Sequence, residues 1–204
     1  MLRHALLLLA VISAPAWAED GPSFDCTKAE SSAETLICED TELSRLDRLV
    51  SARFAAALQA ARALDAGADE AEAELRAIQR GWISGRDECW KADDLRACVE
   101  DAYTLREGEL VALWMLEPPS NTAFWQCNGN PANEVVTVFF ETERPSVRFE
   151  RGDTVDAGVL VRTASGAKYE GSFGRSIWIK GDAATYREAD PDGSTFDCVL
   201  VNKD

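Results

Sequence analysis

The chain has 204 residues, of which 46% are hydrophobic and 28% are charged. This composition is typical of a globular protein and excludes a disordered chain, a collagen-like repeat and a multispan membrane protein. Acidic residues outnumber basic ones by 36 to 21, so the formal net charge is −15. Because a strongly acidic surface repels nucleic acid and anionic lipid, we expect neither as a partner.

Residues 1–18 have the pattern of a secretory signal peptide. Arg3 and His4 precede an apolar run from Ala5 to Ala14, and a small-x-small cleavage site ends at Ala18. The run is too short to span a bilayer, and no cysteine adjoins the cleavage site. We therefore expect cleavage near Ala18 and a periplasmic or secreted protein without a membrane anchor.

The only histidine of the chain, His4, lies inside this predicted signal. The exported protein would then lack imidazole as a base, an acid or a metal ligand, which excludes the mechanisms that need it. In an oxidising compartment the six cysteines are expected to form three disulfides. No cofactor and no metal are expected.

Composition changes at a Pro-Pro pair, which indicates a domain boundary. Residues 19–117 hold 23 acidic and 11 basic residues and are rich in Ala and Leu, whereas residues 118–204 hold 13 and 9 and are rich in Val, Phe and Gly. We predict a helical domain over 19–117, a linker over 118–122 and a β-domain over 123–204. The expected fold class is α+β, with a small disulfide-stapled antiparallel helical bundle followed by a small antiparallel β-barrel.

Three amphipathic stripes predict three long helices that bury one another as a bundle. Ser31 and Glu34 have capping-box spacing before a shorter turn, Asp40 or Thr41 can cap the first long helix, and Asp93 or Asp94 can cap the last. The apolar positions of the stripes are Leu43, Leu46, Val50, Phe54, Ala57, Leu58, Ala61 and Leu64; then Ala71, Leu75, Ile78 and Trp82; then Leu95, Val99, Ala102, Leu105, Leu110 and Leu113.

The second half has no helical period and contains about eight short apolar runs separated by turn residues, which predicts a small barrel. The run from Val135 to Phe140 is apolar on both faces, so one face would fill the barrel and the other contact the helices. The eight predicted strands are 122–128, 134–141, 146–151, 155–164, 167–172, 176–181, 183–189 and 194–202.

The first and last of these strands contain Cys127 and Cys198. A bond between them would stabilise the fold by about 4 kcal/mol, because it restricts the conformations of the unfolded chain. The other four cysteines allow three pairings, among which the sequence does not choose, although we favour the near neighbours. A four-cysteine zinc site is the disfavoured alternative, because the spacings lack a tight C-x2-4-C knuckle. The favoured pairs are Cys26 with Cys38 and Cys89 with Cys98.

Two motifs of the second half carry a resemblance to a known family. The segment SGAKYEG occupies residues 165–171, IWIKGDAA occupies 177–184, and the cysteines at 127 and 198 bracket both. Over about residues 123–204 the chain resembles the MliC/PliC family of periplasmic and membrane-bound inhibitors of c-type lysozyme. The resemblance implies a protein that is not an enzyme and whose partner is a c-type lysozyme.

In that family the serine of the first motif and the lysine of the second enter the lysozyme cleft and contact its catalytic carboxylates. The resemblance assigns these roles to Ser165 and Lys180, and adds Gly166, Tyr169 and Gly181 to the lysozyme-binding set. This implies a protein that protects peptidoglycan by occluding the enzyme. The strong acidity fits, because c-type lysozymes are basic and opposite net charge speeds encounter.

Several residues around the motifs have a structural interpretation. The short strands that hold Tyr169 and Trp178 favour a barrel-core position for both rings. Lys168 and Arg175 are poor contact candidates, because a basic residue would face a basic enzyme. Four glycines are expected to shape turns: Gly166, Gly171, Gly174 and Gly181.

This sequence departs from the family pattern in three ways. Ile177 replaces the usual aromatic residue, Ile179 replaces a small hydroxyl residue, and the segment between Ser165 and Lys180 is about one residue longer. A displaced lysine would weaken inhibition or change the preferred lysozyme.

The first half resembles the LprI-type helical domain, which is also associated with lysozyme inhibition. For Trp82 and Arg86 we favour core packing and a helix-end ion pair over a functional role. We expect this domain to steer the enzyme or to engage it separately. The resemblance is carried by SFDCTKA (23–29), ETLIC (34–38), LSRLD (43–47), QRGWISGRDEC (79–89) and Cys98.

Two other functions are compatible with the sequence. One is an envelope adaptor or stress protein whose barrel binds another protein or a cell-wall glycan. The other is a carboxylate-dependent glycan hydrolase. Glu70, Glu72 and Glu74 favour a solvated helix face over a catalytic pair, because abundant charges on a helix need solvation. The sequence does not indicate an oligomeric state.

Overall fold

The computed structural model describes residues 21–201, so the predicted signal peptide lies outside the described residues. Four α-helices precede eight strands, as the sequence predicts. The helices are α1 (Ser32–Glu39), α2 (Thr41–Arg62), α3 (Ala68–Asp87) and α4 (Leu95–Trp114), with short 3₁₀ turns at Cys26–Lys28, Glu88–Lys91 and Ser172–Gly174.

Helices α1, α2 and α4 begin at the polar residues that the spacing indicates. Ser31 accepts the backbone N–H of Glu34 while the Glu34 carboxylate accepts that of Ser31, which completes the capping box of α1. Asp40 caps α2 and Asp94 caps α4, each by accepting first-turn N–H groups. These side chains satisfy donors that have no partner within the helix.

The helical part is an up-down-up bundle. Arg62, at the end of α2, pairs with Glu72 near the start of α3 at 2.6 Å, so these two helices are antiparallel. Asp40 and Arg96 pair at 2.8 Å where α2 and α4 begin, so those two are parallel. The disulfides confirm the favoured pairs: Cys26 with Cys38 and Cys89 with Cys98.

A buried polar cluster holds the bundle together. The Tyr103 hydroxyl donates to Asp47 at 2.8 Å and accepts from Arg86 at 2.9 Å. Arg86 also donates to Asp87 at 2.8 Å, and Trp82 packs edge-on against the Tyr103 ring. Burial raises the pKa of Tyr103. The structural interpretation of Trp82 and Arg86 is therefore confirmed.

The second half is a closed antiparallel barrel in which every strand pairs with its chain neighbours and the first pairs with the last. Each strand boundary lies within three residues of the predicted one. The strands are β1 (Asn121–Cys127), β2 (Glu134–Phe140), β3 (Ser146–Arg151), β4 (Thr154–Val161), β5 (Ala167–Gly171), β6 (Ser176–Lys180), β7 (Ala183–Arg187) and β8 (Thr195–Val201). Because Asn121 pairs with Phe139, β1 begins inside the predicted linker.

The barrel closes on an apolar interior and a disulfide. Cys127 and Cys198 lie opposite each other on β1 and β8, and they are bonded as predicted. The interior is filled by large side chains such as Trp125, whose indole N–H donates to the Thr137 hydroxyl at 2.9 Å. The buried Trp thus keeps a hydrogen-bond partner inside the barrel.

The outer face of β2 packs on the helices, as its two apolar faces predict. Val138 and Phe140 form one buried cluster with Val111 and Ala112 of α4 and Ala157 of β4. Helix α4 therefore contributes to two cores, one within the bundle and one against the barrel.

Polar contacts fix the β2–β3 turn, residues 141–145, onto α4. The buried Glu107 carboxylate accepts the backbone N–H of Glu143 at 3.0 Å and faces Arg53 at 3.4 Å. Burial raises the pKa of Glu107. Arg144 of the same turn pairs with Asp101. This end of the barrel therefore lies beside the middle of α4, from Asp101 to Glu107.

Three stripe positions that the sequence places in the core are partly exposed: Leu64 at 46%, Ile78 at 47% and Leu105 at 37%. Leu64 lies beyond the last residue of α2. Ile78 and Leu105 line clefts where the helices meet the barrel, so the barrel covers them incompletely.

Gly108 of α4 lies in close contact with the sheet. A Cβ at this position would lie 3.0 Å from both the Ser146 Cβ and the Val159 Cγ1. We predict that Gly108→Val lowers the free energy of unfolding by about 1–3 kcal/mol, because it overpacks a filled interface. Denaturant unfolding measures this change.

Gly81→Val is the matched control, since Gly81 also lies within a helix but has nothing within 4 Å of its Cβ position. We expect this control to change stability by less than about 0.5 kcal/mol, because valine is a slightly better helix former than glycine. Equal losses in the two variants would contradict the close helix–sheet contact.

Candidate functional site

The two motif loops lie at the same end of the barrel. Residues 162–166 connect β4 to β5, and residues 181–182 connect β6 to β7. In an up-and-down barrel, alternate connections share one end, so these loops lie beside the β2–β3 turn and the start of β1. Ser165 and Lys180, which the motifs single out, are both exposed there.

Trp178 connects the two loops. Its indole N–H donates to the backbone carbonyl of Ser165 at 2.9 Å. The Lys180 ammonium lies over the same ring, with Nζ 3.6 Å from the ring centroid. One side chain therefore holds the Ser165 loop by a hydrogen bond and Lys180 by a cation–π contact.

The prediction that Trp178 lies in the barrel core is wrong. Ile177 is fully buried and Ile179 packs on the same interior cluster, so the alternation of β6 turns Trp178 outward with Lys180. The sequence already indicated this orientation. Alternate residues of a strand lie on the same face, and Trp178 is two positions before Lys180, which is expected to be exposed.

Position 166 requires glycine, both for its backbone conformation and for the space around it. Its φ is +71°, which L side chains rarely adopt, and an added Cβ would lie 2.3 Å from the Ile179 carbonyl oxygen. The loop thus lies directly on the end of β6. The Thr163 hydroxyl donates to the carbonyls of Ser165 and Gly166 at 3.1 and 3.0 Å. Sequence reasoning did not identify Thr163, because a threonine in a loop is not distinctive.

Gly181 opens a two-residue turn between Lys180 and Ala183. Its φ is +63°, and glycine at the first position of such a hairpin turn is typical of type II′. The prediction that Gly171 shapes a turn is wrong, because its backbone is extended, with a φ of −113°. A Cβ at Gly171 would lie 2.7 Å from the Ala157 carbonyl oxygen, so glycine there allows close strand approach.

Tyr169 lies inside the barrel, with an exposed fraction of 9%, and packs edge-on against Phe139. The core interpretation of this residue is confirmed. Its ring supports β5 from within, whereas the loops that carry Ser165 and Lys180 are open to solvent.

Two other basic residues near the motifs, Lys168 and Arg175, are occupied by carboxylates. Lys168 pairs with Glu170 on the same strand. Arg175 is buried, lies 3.1 Å from Asp156 and donates to the Tyr186 hydroxyl at 2.7 Å. Among residues 21–201, no carboxylate forms an ion pair with Lys180.

A cleft joins the helical part to these loops. Glu100, Asp101 and Thr104 of α4 line one side, while Arg162 and Gly166 line the other. The first half of α4 therefore lies next to the Ser165 loop.

The described part of the chain contains no cluster of three or more His, Cys, Asp or Glu that could hold a metal ion. Over the same residues, no helix is both long enough and apolar enough to cross a bilayer.

The fold defines a protein of two parts, a disulfide-stapled helical bundle packed on a closed eight-stranded barrel with exposed loops. Residues 125–194 match the family model described as "Membrane-bound lysozyme-inhibitor of c-type lysozyme", MliC. Residues 26–110 match the model described as "Lysozyme inhibitor LprI". The chain thus has an LprI-type segment followed by an MliC-type segment.

Curated relatives support the LprI match. Proteins named "Lipoprotein LprI" from Mycobacterium bovis and Mycobacterium tuberculosis are 35% identical to this chain over 102 residues. The match covers 50% of this chain and 46% of each relative. The chain thus spans about half the length of the curated relatives it matches.

The arrangement around Trp178 can be tested in the free protein. We predict that the Lys180 side-chain protons nearest the ammonium show an upfield ring-current shift, and that Trp178→Leu removes it. The same variant should speed amide hydrogen exchange in residues 162–167, because the loop loses its hydrogen bond. NMR measures both effects.

Trp90→Leu is the matched control, because Trp90 lies on the surface and likewise has a lysine, Lys91, over its ring at 5.2 Å. We expect it to leave residues 162–167 unchanged. A Lys180 shift that persists in Trp178→Leu would contradict the cation–π contact.

Proposed function

We propose that this chain inhibits c-type lysozyme by placing the Ser165 loop and the Lys180 turn in the active-site cleft of the enzyme. The observation that carries the proposal is the Trp178 contact, which holds these two residues together at one exposed end of a closed barrel. The match of residues 125–194 to a lysozyme-inhibitor family supports the choice of partner.

The chemistry of the partner explains why a lysine is suitable. Lysozyme cleavage needs one protonated and one ionised carboxyl group. An ammonium placed between them favours the ionised form of both and lowers the pKa of the required acid. The serine hydroxyl can donate to or accept from the same groups.

The structure of the free protein favours this use of Lys180. A surface lysine normally loses side-chain entropy on binding, whereas the Trp178 ring already restricts this one. Lys168 is committed to Glu170, so it is less available to a partner. The barrel supplies a rigid support, because its strands pair all the way round.

We further propose that the protein works in the periplasm, where it protects peptidoglycan, and that it has no catalytic activity of its own. Three disulfides are consistent with an oxidising compartment. Inhibition of this kind needs binding energy only, and an interface of roughly 1,600 Å² would be ordinary for it.

Lys180→Ala tests the proposal directly. We expect the dissociation constant for a c-type lysozyme to rise by about 30- to 5,000-fold, which corresponds to about 2–5 kcal/mol for a buried charged contact. Lysis of cell walls by lysozyme, followed by turbidity while the inhibitor is titrated, measures this change.

Lys168→Ala is the control, since it removes the same charge from the neighbouring strand. We expect it to weaken inhibition by less than about tenfold. No inhibition by the intact protein, or equal losses in the two variants, would overturn the proposed role of Lys180.

We also propose that the helical part attracts the basic enzyme. Residues 19–117 carry 12 of the 16 net negative charges that remain after residue 18. The start of α4 lies beside the Ser165 loop, so acidic residues near that end would act on the approaching enzyme. Deleting the helices is not a clean test, because Phe140 and Val138 of the barrel pack on α4.

Charge neutralisation in the intact chain is a sharper experiment. Glu39 and Asp93 are exposed where α2 and α4 begin, which is the end of the bundle nearer to the cleft residue Glu100, whereas Asp65 and Asp69 are exposed at the opposite end of the bundle. We predict that the double variant Glu39→Gln, Asp93→Asn lowers the association rate by about two- to fivefold at low salt.

The double variant Asp65→Asn, Asp69→Asn makes the same change in charge and should lower the rate less. Stopped-flow association at two salt concentrations measures both, and high salt should abolish the difference. Identical rates in the two double variants would show that local steering is wrong.

A further inference from the structure

A second concave site lies near the other end of the barrel. It is a groove of about 360 Å³ between α3, α4 and the start of β4. Because β4 begins here and ends before the Ser165 loop, the groove is separate from that loop and from Lys180. Its walls are mainly apolar: Leu75, Ile78, Leu110, Leu113, Val155 and Ala157.

One polar group in this groove has an unused donor. Arg106 is only 3% exposed. Its Nε donates to Gln79 and its Nη1 to Glu109, each at 3.0 Å, but the buried Nη2 has no hydrogen-bond partner. A buried donor without an acceptor costs free energy that a bound acceptor would restore.

Two other buried nitrogens without a hydrogen bond, in Arg53 and Arg175, differ from this one. Arg53 Nε lies 3.4 Å from a Glu107 oxygen, and Arg175 Nε lies 3.1 Å from an Asp156 oxygen, so each faces a carboxylate. Among these three, Arg106 Nη2 is therefore the donor best placed to recognise a ligand, because its residue lines an open groove.

The charges around the groove select the type of acceptor. Glu74, Glu109 and Asp156 all contribute to its lining, and Glu109 already pairs with Arg106. A carboxylate or phosphate would meet these three carboxylates and only two guanidinium groups, Arg106 and the Arg175 that pairs with Asp156, so the net negative charge disfavours an anion. A neutral carbonyl oxygen can accept from Nη2 without this repulsion.

We infer that this groove binds a small neutral ligand with an aliphatic body and one amide or ester carbonyl. The aliphatic body would pack on Leu75, Leu110 and Leu113, and the carbonyl would accept from Arg106 Nη2. The groove has the volume and the junction position that are common for small-molecule sites. This inference does not depend on lysozyme binding.

The rim of the groove is also apolar. Ile78 and Val155, on opposite walls, are 47% and 44% exposed. Ser172 lines the groove, and the next residue, Phe173, is 79% exposed with φ +51°. An exposed phenylalanine held in the left-handed region is costly for the free protein and extends the apolar surface at this end.

Octanamide is a suitable probe, because it has an eight-carbon body and a neutral carbonyl. We expect saturable amide shifts at Leu75, Leu110 and Val155 when it is titrated into the full-length mature protein and followed by NMR. Octanoate, with the same length and a negative charge, should bind at least about tenfold more weakly.

Three variants make the experiment decisive. Ala71→Phe fills the groove from α3 and should abolish the shifts, whereas Ala73→Phe, on the exposed face of the same helix, should keep them. Arg106→Lys keeps the positive charge but removes the free Nη2, so it should weaken octanamide binding by about tenfold. If Arg106→Lys does not fold, the comparison of Ala71→Phe with Ala73→Phe still shows whether octanamide binds in the groove.

Several results would overturn the inference. These are the absence of saturable shifts at millimolar octanamide, shifts that persist in Ala71→Phe, and octanoate binding as tight as octanamide. Loss of lysozyme inhibition in Lys180→Ala has no bearing on this outcome, because Lys180 lies at the other end of the barrel.

Discussion

The packing of α4 against both halves is the constraint on which the rest of the structure depends. One face of this helix completes the bundle through Tyr103 and Leu110, and another covers the outer face of β2. Gly108 allows the approach, because a side chain there would collide with β3 and β4. The helical part therefore has a fixed position beside the barrel, and its charges and clefts have defined places relative to the barrel loops.

Closure of the barrel has a similar consequence for the exposed loops. Eight strands in chain order put the β4–β5 and β6–β7 connections at one end, so Ser165 and Lys180 become neighbours although fifteen positions separate them. Trp178 turns this proximity into a specific geometry through one hydrogen bond and one cation–π contact. A free loop would have to acquire this order on binding, at a cost in entropy.

The two proposed sites differ in chemistry as well as in place. The loop end presents an exposed ammonium with no ion-pair partner among the described residues, which suits acidic groups of a partner. The groove near the other end presents apolar walls, an unused donor and three carboxylates, which suits a neutral acceptor. Both arise at junctions between elements, because such junctions leave gaps that one helix or one strand cannot fill.

Local patterns in the sequence determined the helices, the eight strands and the capping residues, because periodicity and turn chemistry act over a few residues. The bond between Cys127 and Cys198 was predicted because these residues lie in the first and last predicted strands. Local patterns also indicated Ser165 and Lys180 through a family resemblance. The orientation of Trp178 was also within reach of the sequence, since the alternation of β6 places it on the face of Lys180 and opposite Ile177 and Ile179. The close approach of Gly171 to Ala157 and the groove around Arg106 depend on residues far apart in the chain, so only the tertiary structure could define them.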